Sequence, residues 1–294
     1  MNHFTIKDIE NLTGIKSHTL RIWEQRYGIP NPKRTDTNIR YYDDQDLKLL
    51  LNVSLLNKQG HKISHLTSLT KEELEQLALA HCQNVDDTSI QLDSLMKAMF
   101  NLDEAAFEKI LSSHLLNFGL EHTMSNLFFP FLKRIGILWQ TGQVNPAYEH
   151  FMSNLIRQKL VVAIDTQVIT MRPDAKKFVL FLPEGEMHEL GLLLANYILR
   201  ARGHQTIYLG QNLPYTDLES ILGQYQFDCI LSVLTSSTSK ISTQEMIDDL
   251  SKRLKNKTIY ITGSQVTSGP ELKAPANVVV LQNVAELIEM AETK

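Results

Sequence analysis

The stretch KFVLFLPEGEMHELGLLLANYILRARGHQTIYLG (177–210) decides how the C-terminal part of this chain folds. It holds two apolar runs of strand length, KFVLFL (177–182) and QTIYLG (205–210), separated by a helical pattern over 187–202. Two strands joined through a helix form a parallel β-α-β unit, because a parallel crossover needs a dozen or more residues. The segment EGEMHELG (184–191) follows the first strand, which is where sheets of this kind bind ligands.

The same alternation of strand and helix continues toward the C-terminus. Three further strands are predicted, FDCILSVL (227–234), KTIYITG (257–263) and NVVVL (277–281). Helical patterns lie beside them at 214–225, 241–255 and 283–292. The sequence therefore predicts a doubly wound, Rossmann-like parallel sheet over residues 175–294, with its ligand beyond the C-terminal ends of the strands.

Residues 86–172 show a different periodicity, that of long amphipathic helices with few breakers. The helical patterns are DDTSIQLDSLMKAMF (86–100), DEAAFEKILSSHLLNF (103–118), LEHTMSNLFFPFLKRIGILW (120–139) and AYEHFMSNLIRQKLVVAID (147–165). Four such patterns in succession predict a four-helix bundle. The stretch KEELEQLALAHCQNVDD (71–87) before it is typical of a helix followed by a polar connection, which predicts a domain boundary near 73–86.

Residues 1–72 form a third region of short helical patterns. A helix capped by Thr5 ends at Gly14, and a second helix begins beside Ser17 and ends at Gly28. The turn-rich segment IPNPKRTDTN (29–38) prevents the second helix from continuing. Two short helices joined at a glycine predict a helix-turn-helix, whose second helix would bring three side chains near base edges or phosphates, namely His18, Thr19 and Arg21.

The distribution of charge agrees with a DNA contact at the N-terminus. The whole chain has a net charge of −4, but residues 1–70 carry ten Lys and Arg against seven Asp and Glu. Neutralising phosphates is the sequence-independent part of nucleic-acid binding, so contact is expected in this basic segment. The balance over the rest of the chain argues against indiscriminate coating of nucleic acid.

Length and composition predict a folded cytoplasmic protein of two or three domains. The chain has 294 residues, of which 43% are hydrophobic. It contains no apolar run of the ~18 residues that a membrane span requires, and its first ten residues lack the profile of a signal peptide. The two cysteines, Cys82 and Cys229, lie far apart in apolar surroundings, so we expect buried thiols instead of a disulfide or metal site.

The order TLRIWEQRYGIPNPKRTDTNIRYYDDQDLKLL (19–50) resembles the DNA-binding domain of MerR-type regulators, with a recognition helix, a β-wing, an Arg-Tyr-Tyr element and an acidic start to a third helix. The resemblance covers roughly the first seventy residues. It implies that the operator backbone is held by Arg21, Trp23, Arg26, Arg40, Tyr41 and Tyr42, to which the wing adds Lys33 and Arg34. The start of the second helix adds Ser17, His18 and Thr19 to the predicted DNA interface. Guanidinium groups suit phosphates, whereas Trp23 fits a core position equally well.

MerR-type regulators normally bind DNA as dimers and receive their signal through the part that follows the DNA-binding domain. The metal-sensing members follow it with a dimerisation helix and a cysteine-rich loop, and this chain has neither feature. A different signal is therefore expected.

The segment Glu186-x-His188-x-x-Gly191 resembles the Asp/Glu-x-His-x-x-Gly motif of cobalamin-binding domains. The resemblance implies that His188 is the lower axial ligand of cobalt, that Glu186 orients its imidazole, and that Gly191 lets backbone approach the nucleotide tail. Ser232-x-Leu234 matches the Ser-x-Leu element of the family, in which the serine hydrogen-bonds the buried nucleotide base.

One position departs from the cobalamin-binding family, and one pattern in the bundle adds a second likeness. Where the family has Gly-Gly after the fourth strand, this chain has Gly263 followed by Ser264, which puts the fit of the tail channel in doubt. In the bundle, Trp139 is followed after nine residues by Glu149 and His150, a pattern similar to that of the adenosylcobalamin photoreceptors of the CarH/LitR type.

That second likeness implies an upper-face pocket for adenosylcobalamin. Trp139 would pack over the adenosyl group, Glu149 would accept hydrogen bonds from its ribose, and His150 would line the pocket. In the photoreceptors a histidine follows the tryptophan and ligates cobalt after light cleaves the cobalt–carbon bond. Here Gln140 stands in its place, and an amide is a poor ligand for cobalt(III). Two alternatives follow for light sensing: it ends in a different photoproduct, or it is absent.

Together the motifs predict a cobalamin-dependent, light-responsive transcriptional regulator of the repressor kind. It is expected to bind a double-stranded DNA operator as a homo-oligomer, a dimer or a tetramer with cofactor, and to have no enzymatic activity. Two alternatives remain: a MerR-type regulator whose C-terminal domain works without cofactor in dimerisation or antagonist binding, and a subunit of a corrinoid-dependent methyltransferase or mutase. The N-terminal segment argues against the enzyme, which would need a substrate-activating domain instead.

Overall fold

A computed structural model describes residues 4–35, 38–58, 60–81, 88–140, 144–168, 170–236, 242–267 and 272–293. The chain divides into two compact units, Met1–Leu155 and Ile156–Lys294. The winged helix and most of the bundle belong to the first unit and the sheet to the second. The finer division at 1–72, 86–172 and 175–294 stays a prediction.

The N-terminal region contains the predicted helix-turn-helix and wing. Its elements are α1 (Ile6–Thr13), α2 (Ser17–Tyr27), β1 (Lys33–Arg34), β2 (Arg40–Tyr41), α3 (Asp44–Lys58), α4 (Ile63–Leu66) and α5 (Lys71–His81). Helix α1 begins with a capping box between Thr5 and Asp8, and it ends where Gly14 takes a left-handed conformation at φ 75°. Strands β1 and β2 pair antiparallel, and Phe4 adds a bridge to Tyr42 beside them.

The helical region that follows has the four predicted segments. They are α6 (Thr88–Asn101), α7 (Glu104–Thr123), α8 (Phe129–Gln140) and α9 (Pro146–Asp165), with a π-helical turn over Met124–Phe128. Helix α7 is broken at Gly119, whose φ of 75° and ψ of 174° are not helical, so the gap expected between the second and third patterns is present. Apolar side chains fill the interior, including Phe107, Phe128 and Phe131.

The C-terminal unit contains a five-stranded parallel sheet. Its strands are β3 (Lys177–Pro183), β4 (Gln205–Leu213), β5 (Cys229–Val233), β6 (Thr258–Thr262) and β7 (Val278–Val280), in the order β4-β3-β5-β6-β7. The helices around them are α10 (Leu190–Ala201), α11 (Tyr215–Gln224), α12 (Thr243–Arg253), α13 (Ser264–Thr267) and α14 (Val284–Glu292). This confirms the doubly wound sheet.

The strand order creates a switch point between β3 and β5, because the chain leaves β3 for β4 on one side and returns to β5 on the other. Doubly wound sheets bind ligands beyond the strand ends at such a point. Helix α10 begins at Leu190 and not at 187 as predicted, because residues 184–189 form a separate loop at this edge. That loop carries the predicted ligand site.

Two expectations outside the site can be compared directly with the described residues. Cys229 is a buried free thiol whose pKa is raised by burial to about 11, as expected of a packing residue, and Cys82 lies outside the described residues. Within the part of the chain that the structure describes, no helix is both long enough and apolar enough to cross a membrane.

Candidate functional site

The loop between β3 and α10 is fixed at several points by backbone hydrogen bonds. The Glu186 N–H donates to the carbonyl of Pro183 at 3.0 Å, and the Asn212 N–H donates to the carbonyl of Glu186 at 3.1 Å. The Asn212 side chain in turn accepts from the N–H of Gly185 at 2.9 Å. The loop is therefore held between the end of β3 and the last residues of β4.

Glu186 is the buried centre of this loop, with only 3% of its surface exposed. Its Oε1 accepts from Nδ1 of His188 at 2.6 Å and from the N–H of the same residue at 3.0 Å. Its Oε2 accepts from the N–H groups of Thr235 and Ser236, both at 2.7 Å. A single carboxylate thus joins the loop after β3 to the loop after β5 across the switch point.

These hydrogen bonds decide the charge of Glu186. Burial raises the pKa of the carboxyl, but the hydrogen bonds from His188, Ser236 and Thr235 favour the ionised form and lower its pKa to about 2. The group is therefore a carboxylate at neutral pH, and an ionised carboxylate can only accept hydrogen bonds.

His188 has the properties of an oriented imidazole ligand. Its side chain is 56% exposed, in contrast to the buried Glu186 that holds its Nδ1. Because the carboxylate accepts, Nδ1 of the neutral ring carries the proton and the lone pair is on Nε2. Metal-ligating histidines commonly donate their second ring N–H to a carboxylate, as His188 does to Glu186. The pair therefore fits an axial ligand of cobalt.

Among the described residues, no group of three or more His, Cys, Asp or Glu side chains could hold a metal ion.

Glu189, the residue after His188, makes contacts that sequence reasoning missed. Its Oε1 accepts from Nε of Arg157 on α9 at 2.5 Å, and its Oε2 accepts from the hydroxyl of Tyr208 on β4 at 3.2 Å. Burial, together with Glu189, raises the pKa of the Tyr208 hydroxyl. The position next to His188 was the only signal in the sequence, and nothing there indicates partners 32 and 19 residues away.

Two predicted tail-binding residues have packing roles in the structure. Ser232 is wholly buried, and its Oγ donates to the carbonyl of Phe181 at 2.9 Å, so it links the two central strands. A Cβ on Gly191 would lie 3.0 Å from a methyl carbon of Val233. Gly191 therefore allows α10 to approach β5, a reason for a glycine other than the expected approach of backbone to a nucleotide tail.

Gly263 and Leu234 form a close backbone contact at the end of β6. Gly263 has a φ of 105°, and a Cβ there would lie 2.4 Å from the carbonyl oxygen of Leu234. Only glycine fits this position. Ser264, which replaces the second glycine of the family, donates through Oγ to the carbonyl of Thr235 at 2.9 Å, and so it supports the loop that contacts Glu186.

The bundle residues of the predicted upper pocket lie near the end of α8 and in the first turn of α9. Trp139 is 49% exposed near the end of α8, which ends at Gln140. Glu149 lies in the first turn of α9 and pairs with His150, the Nδ1···Oε2 distance being 2.8 Å. The His150 side chain is 71% exposed. This carboxylate–imidazole pair resembles that of Glu186 and His188, and the sequence pattern named both residues without predicting that they pair with each other.

The recognition helix α2 has one buried and one exposed face. Leu20 and Trp23 face the core, and the 8% exposure of Trp23 favours the core alternative over a phosphate contact. His18, Arg21 and Gln25 are exposed on the opposite face. Gln25 was missed, although its helical spacing from His18 and Arg21 would have indicated it, and Gln is a side chain that reads adenine.

Glu10 on α1 anchors the start of α2. Its carboxylate accepts from Oγ of Ser17 at 2.5 Å and from the Ser17 N–H at 3.1 Å. The hydrogen bonds from Ser17, with Lys16 nearby, lower the pKa of Glu10 to about 2. Ser17 is thus engaged in joining the two helices of the motif, a use that differs from its predicted place in the DNA interface. Thr19 is half-buried, and Arg26 is exposed.

The cations of the wing are already paired with other side chains of the N-terminal module. Lys33 pairs with Asp43, and Arg34 donates to the side chain of Asn38 at 2.9 Å. Nε of Arg40 donates to both carboxylate oxygens of Glu24, at 3.0 and 3.3 Å. The predicted phosphate contacts of Lys33 and Arg40 would therefore compete with, or use, these existing pairs.

The structure contradicts the prediction that Tyr42 belongs to the DNA interface. Its side chain has no exposed surface, and its hydroxyl has no hydrogen-bond partner among the described residues. The backbone pairing of Tyr42 with Phe4 buries the ring, so it supports the core instead of the surface. Tyr41, its neighbour on β2, is half-buried.

Comparisons with known proteins identify two domains in this chain. Residues 4–73 match the MerR HTH family regulatory protein, and residues 91–163 match the B12 binding domain. The chain is 27% identical over 221 residues to the HTH-type transcriptional repressor CarH of Myxococcus xanthus, covering 73% of each protein. It is 26% identical to the repressor CarA of the same organism, over 76% of this chain and 74% of CarA.

Two further comparisons are narrower: one curated protein matches only 70 residues, and one solved structure shares only the fold. The HTH-type transcriptional regulator MlrA of Escherichia coli is 31% identical over 70 residues, which are 24% of this chain and 29% of MlrA. The solved structure of the Methanosarcina barkeri monomethylamine corrinoid protein aligns with a TM-score of 0.54 and 17% identity, over 70% of this chain and 99% of that one. This chain therefore combines a MerR HTH domain with a B12-binding domain.

Proposed function

We propose that this protein is a transcriptional regulator that binds DNA through residues 4–73 and responds to cobalamin held by the rest of the chain. The observation that carries the proposal is the Glu186–His188 pair at the switch point of the sheet, in a chain that begins with a MerR HTH domain. An oriented imidazole at that point is what an axial ligand of cobalt requires. The regulators CarH and CarA support the combination.

We further propose roles for individual residues around the cofactor. His188 would ligate cobalt through Nε2, and Glu186 would keep the proton on Nδ1 of that ring. Gly263 keeps the end of β6 close to Leu234, and Trp139, Glu149 and His150 would contact the adenosyl group. When bound, the corrin supplies an electrophilic cobalt centre, and the residues of this chain supply its position.

On the DNA side, the exposed face of α2 supplies the groove contacts. His18, Arg21 and Gln25 read base edges or phosphates, with Arg26 on the flank. Arg34 and Arg40 contribute phosphate contacts from the wing. This proposal leaves Trp23 and Tyr42 to the core, where the structure has them.

The experiment that tests the proposal measures cobalamin retention and DNA affinity on the same preparations. Wild type, His188→Ala and His122→Ala are incubated with hydroxocobalamin and freed of unbound corrinoid, and then their visible absorbance is read. His122 is an exposed histidine on α7 and serves as the control. His204 does not suit this purpose, because it is buried and bridges the Lys176 N–H and the Ala291 carbonyl.

The expected result is retained absorbance in wild type and His122→Ala and its loss in His188→Ala. Each preparation is then titrated against random-sequence duplexes enriched by the wild-type protein, with and without corrinoid. DNA affinity should change with corrinoid in wild type and not in His188→Ala. Equal retention in His188→Ala would remove the axial-ligand assignment, and DNA binding without any effect of corrinoid would favour the cofactor-independent regulator.

The finer points of the function are part of the same proposal. Repression is suggested by the repressor relatives, and adenosylcobalamin by the Trp139, Glu149 and His150 pattern. A homo-oligomer that assembles with cofactor in the dark would bind paired half-sites through multivalency. Measuring the size of the oligomer in the dark and after illumination, with each cobalamin form, tests the assembly and the preference for adenosylcobalamin. Gln140→His should stabilise the photoproduct.

A further inference from the structure

The ion pair between Glu24 and Arg40 joins the recognition helix to the wing. Glu24 lies on α2 between the buried Trp23 and the exposed Gln25, and Arg40 is the first residue of β2. The two side chains are 22% and 35% exposed, so the pair sits at the border of the module's surface. A carboxylate at this place is unexpected, because DNA phosphates repel it.

The geometry of the pair explains how a carboxylate can assist binding. Both oxygens of Glu24 accept from Nε of Arg40, at 3.0 and 3.3 Å. Among the described residues, no hydrogen bond uses the two terminal nitrogens of this guanidinium. Phosphate recognition by arginine uses parallel N–H donors of the fork, and the terminal nitrogens supply such donors.

The other cations of the module are arranged differently. Lys33 is bound by Asp43 through its only charged nitrogen, so its pair and a phosphate compete for the same atom. Arg21 and Arg26 are exposed on α2, and within the described ranges no carboxylate pairs with either of them. Arg40 alone among these arginines is held by one edge while the opposite edge remains available to a ligand.

We infer that Glu24 is a positioning residue for DNA binding, which fixes Arg40 by Nε so that its terminal nitrogens meet a backbone phosphate. The inference rests on the proposed function of the N-terminal module. An arginine side chain that is already fixed loses less conformational freedom when it binds. The pair also fixes the wing relative to α2, so that the phosphate contact of Arg40 and the groove contacts of α2 can form at the same time.

A double-mutant cycle tests this inference with the full-length chain and a mixed-sequence DNA duplex, which reports phosphate contacts without requiring the operator. The variants are Glu24→Ala, Arg40→Ala and the double variant, and Glu72→Ala controls for the loss of one negative charge. Glu72 lies in the first turn of α5 and is exposed. Affinity is measured over a range of salt concentrations, and unfolding curves verify that each variant is folded.

The expected loss is about tenfold for Arg40→Ala, the usual scale for a phosphate-binding arginine, with a salt dependence reduced by about one ion. Glu24→Ala should weaken binding several-fold in the wild-type background and should not weaken it further beside Arg40→Ala. Glu24→Gln, which keeps an acceptor for Nε, should bind within about twofold of wild type. Glu72→Ala should bind slightly more tightly or equally.

Tighter or unchanged binding by Glu24→Ala would overturn the inference, because Glu24 would then compete with phosphate for Arg40. An equal loss in both backgrounds would also overturn it, since Glu24 would not act through Arg40. Should Glu24→Ala fail to fold, Glu24→Asp withdraws the carboxylate by one methylene and gives the same comparison. Absence of salt-dependent DNA binding in the wild type would instead count against the proposed function itself.

Discussion

Replacing Glu186 by Gln tests the carboxylate at the centre of the switch point. The change preserves size but converts one acceptor oxygen into an NH2 donor. Oε1 of Glu186 accepts two hydrogen bonds from His188, and Oε2 accepts from the N–H groups of Thr235 and Ser236 and, at 3.3 Å, from the Ser236 hydroxyl. Neither orientation of the glutamine amide can therefore avoid placing a donor against donors.

The two orientations have different consequences. With NH2 toward Thr235 and Ser236, two backbone N–H groups lose their acceptor, while His188 keeps its orientation. With NH2 toward His188, Nδ1 must become the acceptor, which places the proton on Nε2 and removes the lone pair that would bind cobalt. Hydrogen bonds to a charged group contribute about 1.5–3 kcal/mol each, so either orientation should destabilise the C-terminal unit by about 3 kcal/mol.

The assay follows urea unfolding of the cofactor-free protein by circular dichroism and corrinoid affinity by visible absorbance. Glu186→Gln should lose about 3 kcal/mol of unfolding free energy. It should also lose about 10–100-fold in hydroxocobalamin affinity, because in either orientation a neutral amide replaces the carboxylate that raises the basicity of the ligating histidine. Glu184→Gln is the matched control, since that exposed carboxyl lies in the same loop. If Glu186→Gln matched this control in both measurements, the assigned role of the carboxylate would be refuted.

Four other substitutions test the packing and the electrostatics of the protein. Tyr42→Phe should stabilise the N-terminal module by about 1 kcal/mol in urea unfolding, because it removes a buried hydroxyl that has no hydrogen-bond partner in the part of the chain that the structure describes. Weaker DNA binding by this variant would show that the hydroxyl reaches DNA. Gly263→Ala should cost at least about 2 kcal/mol of unfolding free energy, because the backbone there is left-handed and lies against a carbonyl group. Gly191→Ala would contact only a side chain and should change the unfolding free energy by about 1 kcal/mol or less. Equal effects of the two substitutions would contradict these roles. The lowered pKa of Glu10 stabilises the fold above its ordinary value of 4.5, and this stabilisation is lost as pH falls toward about 2. Glu10→Gln should therefore unfold more easily at pH 6 and show a weaker dependence between these two values, and an unchanged pH profile would exclude this contribution.

Much of the fold could be predicted because it depends on local periodicity. All five strands of the sheet lie within or overlap the apolar runs, and the break at Gly119 lies between two helical patterns. Differences occur where distant residues intervene. Strand β4 extends to Leu213 because its pairing with β3 continues past two register shifts, and α10 starts late because Asn212 and Thr235 hold the loop before it.

The candidate site was predictable only in part for the same physical reason. Glu186 and His188 are two residues apart, so a short motif contains both. The donors of Thr235 and Ser236 reach Glu186 from about fifty residues away, through a strand crossover that no local pattern specifies. The burial of Tyr42 likewise depends on its pairing with Phe4. Residue type suggested a phosphate contact there, and tertiary pairing decided otherwise.

The carboxylates of this chain have a common effect on the side chains that the sequence singles out. Glu186 accepts a hydrogen bond from Nδ1 of His188, Glu24 accepts from Nε of Arg40, and Glu10 accepts from Ser17 at the start of α2. Because a carboxylate only accepts, it determines which donor of its partner is engaged and which edge remains outward. Counting cations in residues 1–70 therefore overstates the attraction to DNA, since part of that charge is already balanced within the module. The carboxylate in each pair determines the orientation of its partner side chain. In a double-mutant cycle, this effect should be measured as a coupling free energy between the two substitutions, which the loss of either charge alone would not produce.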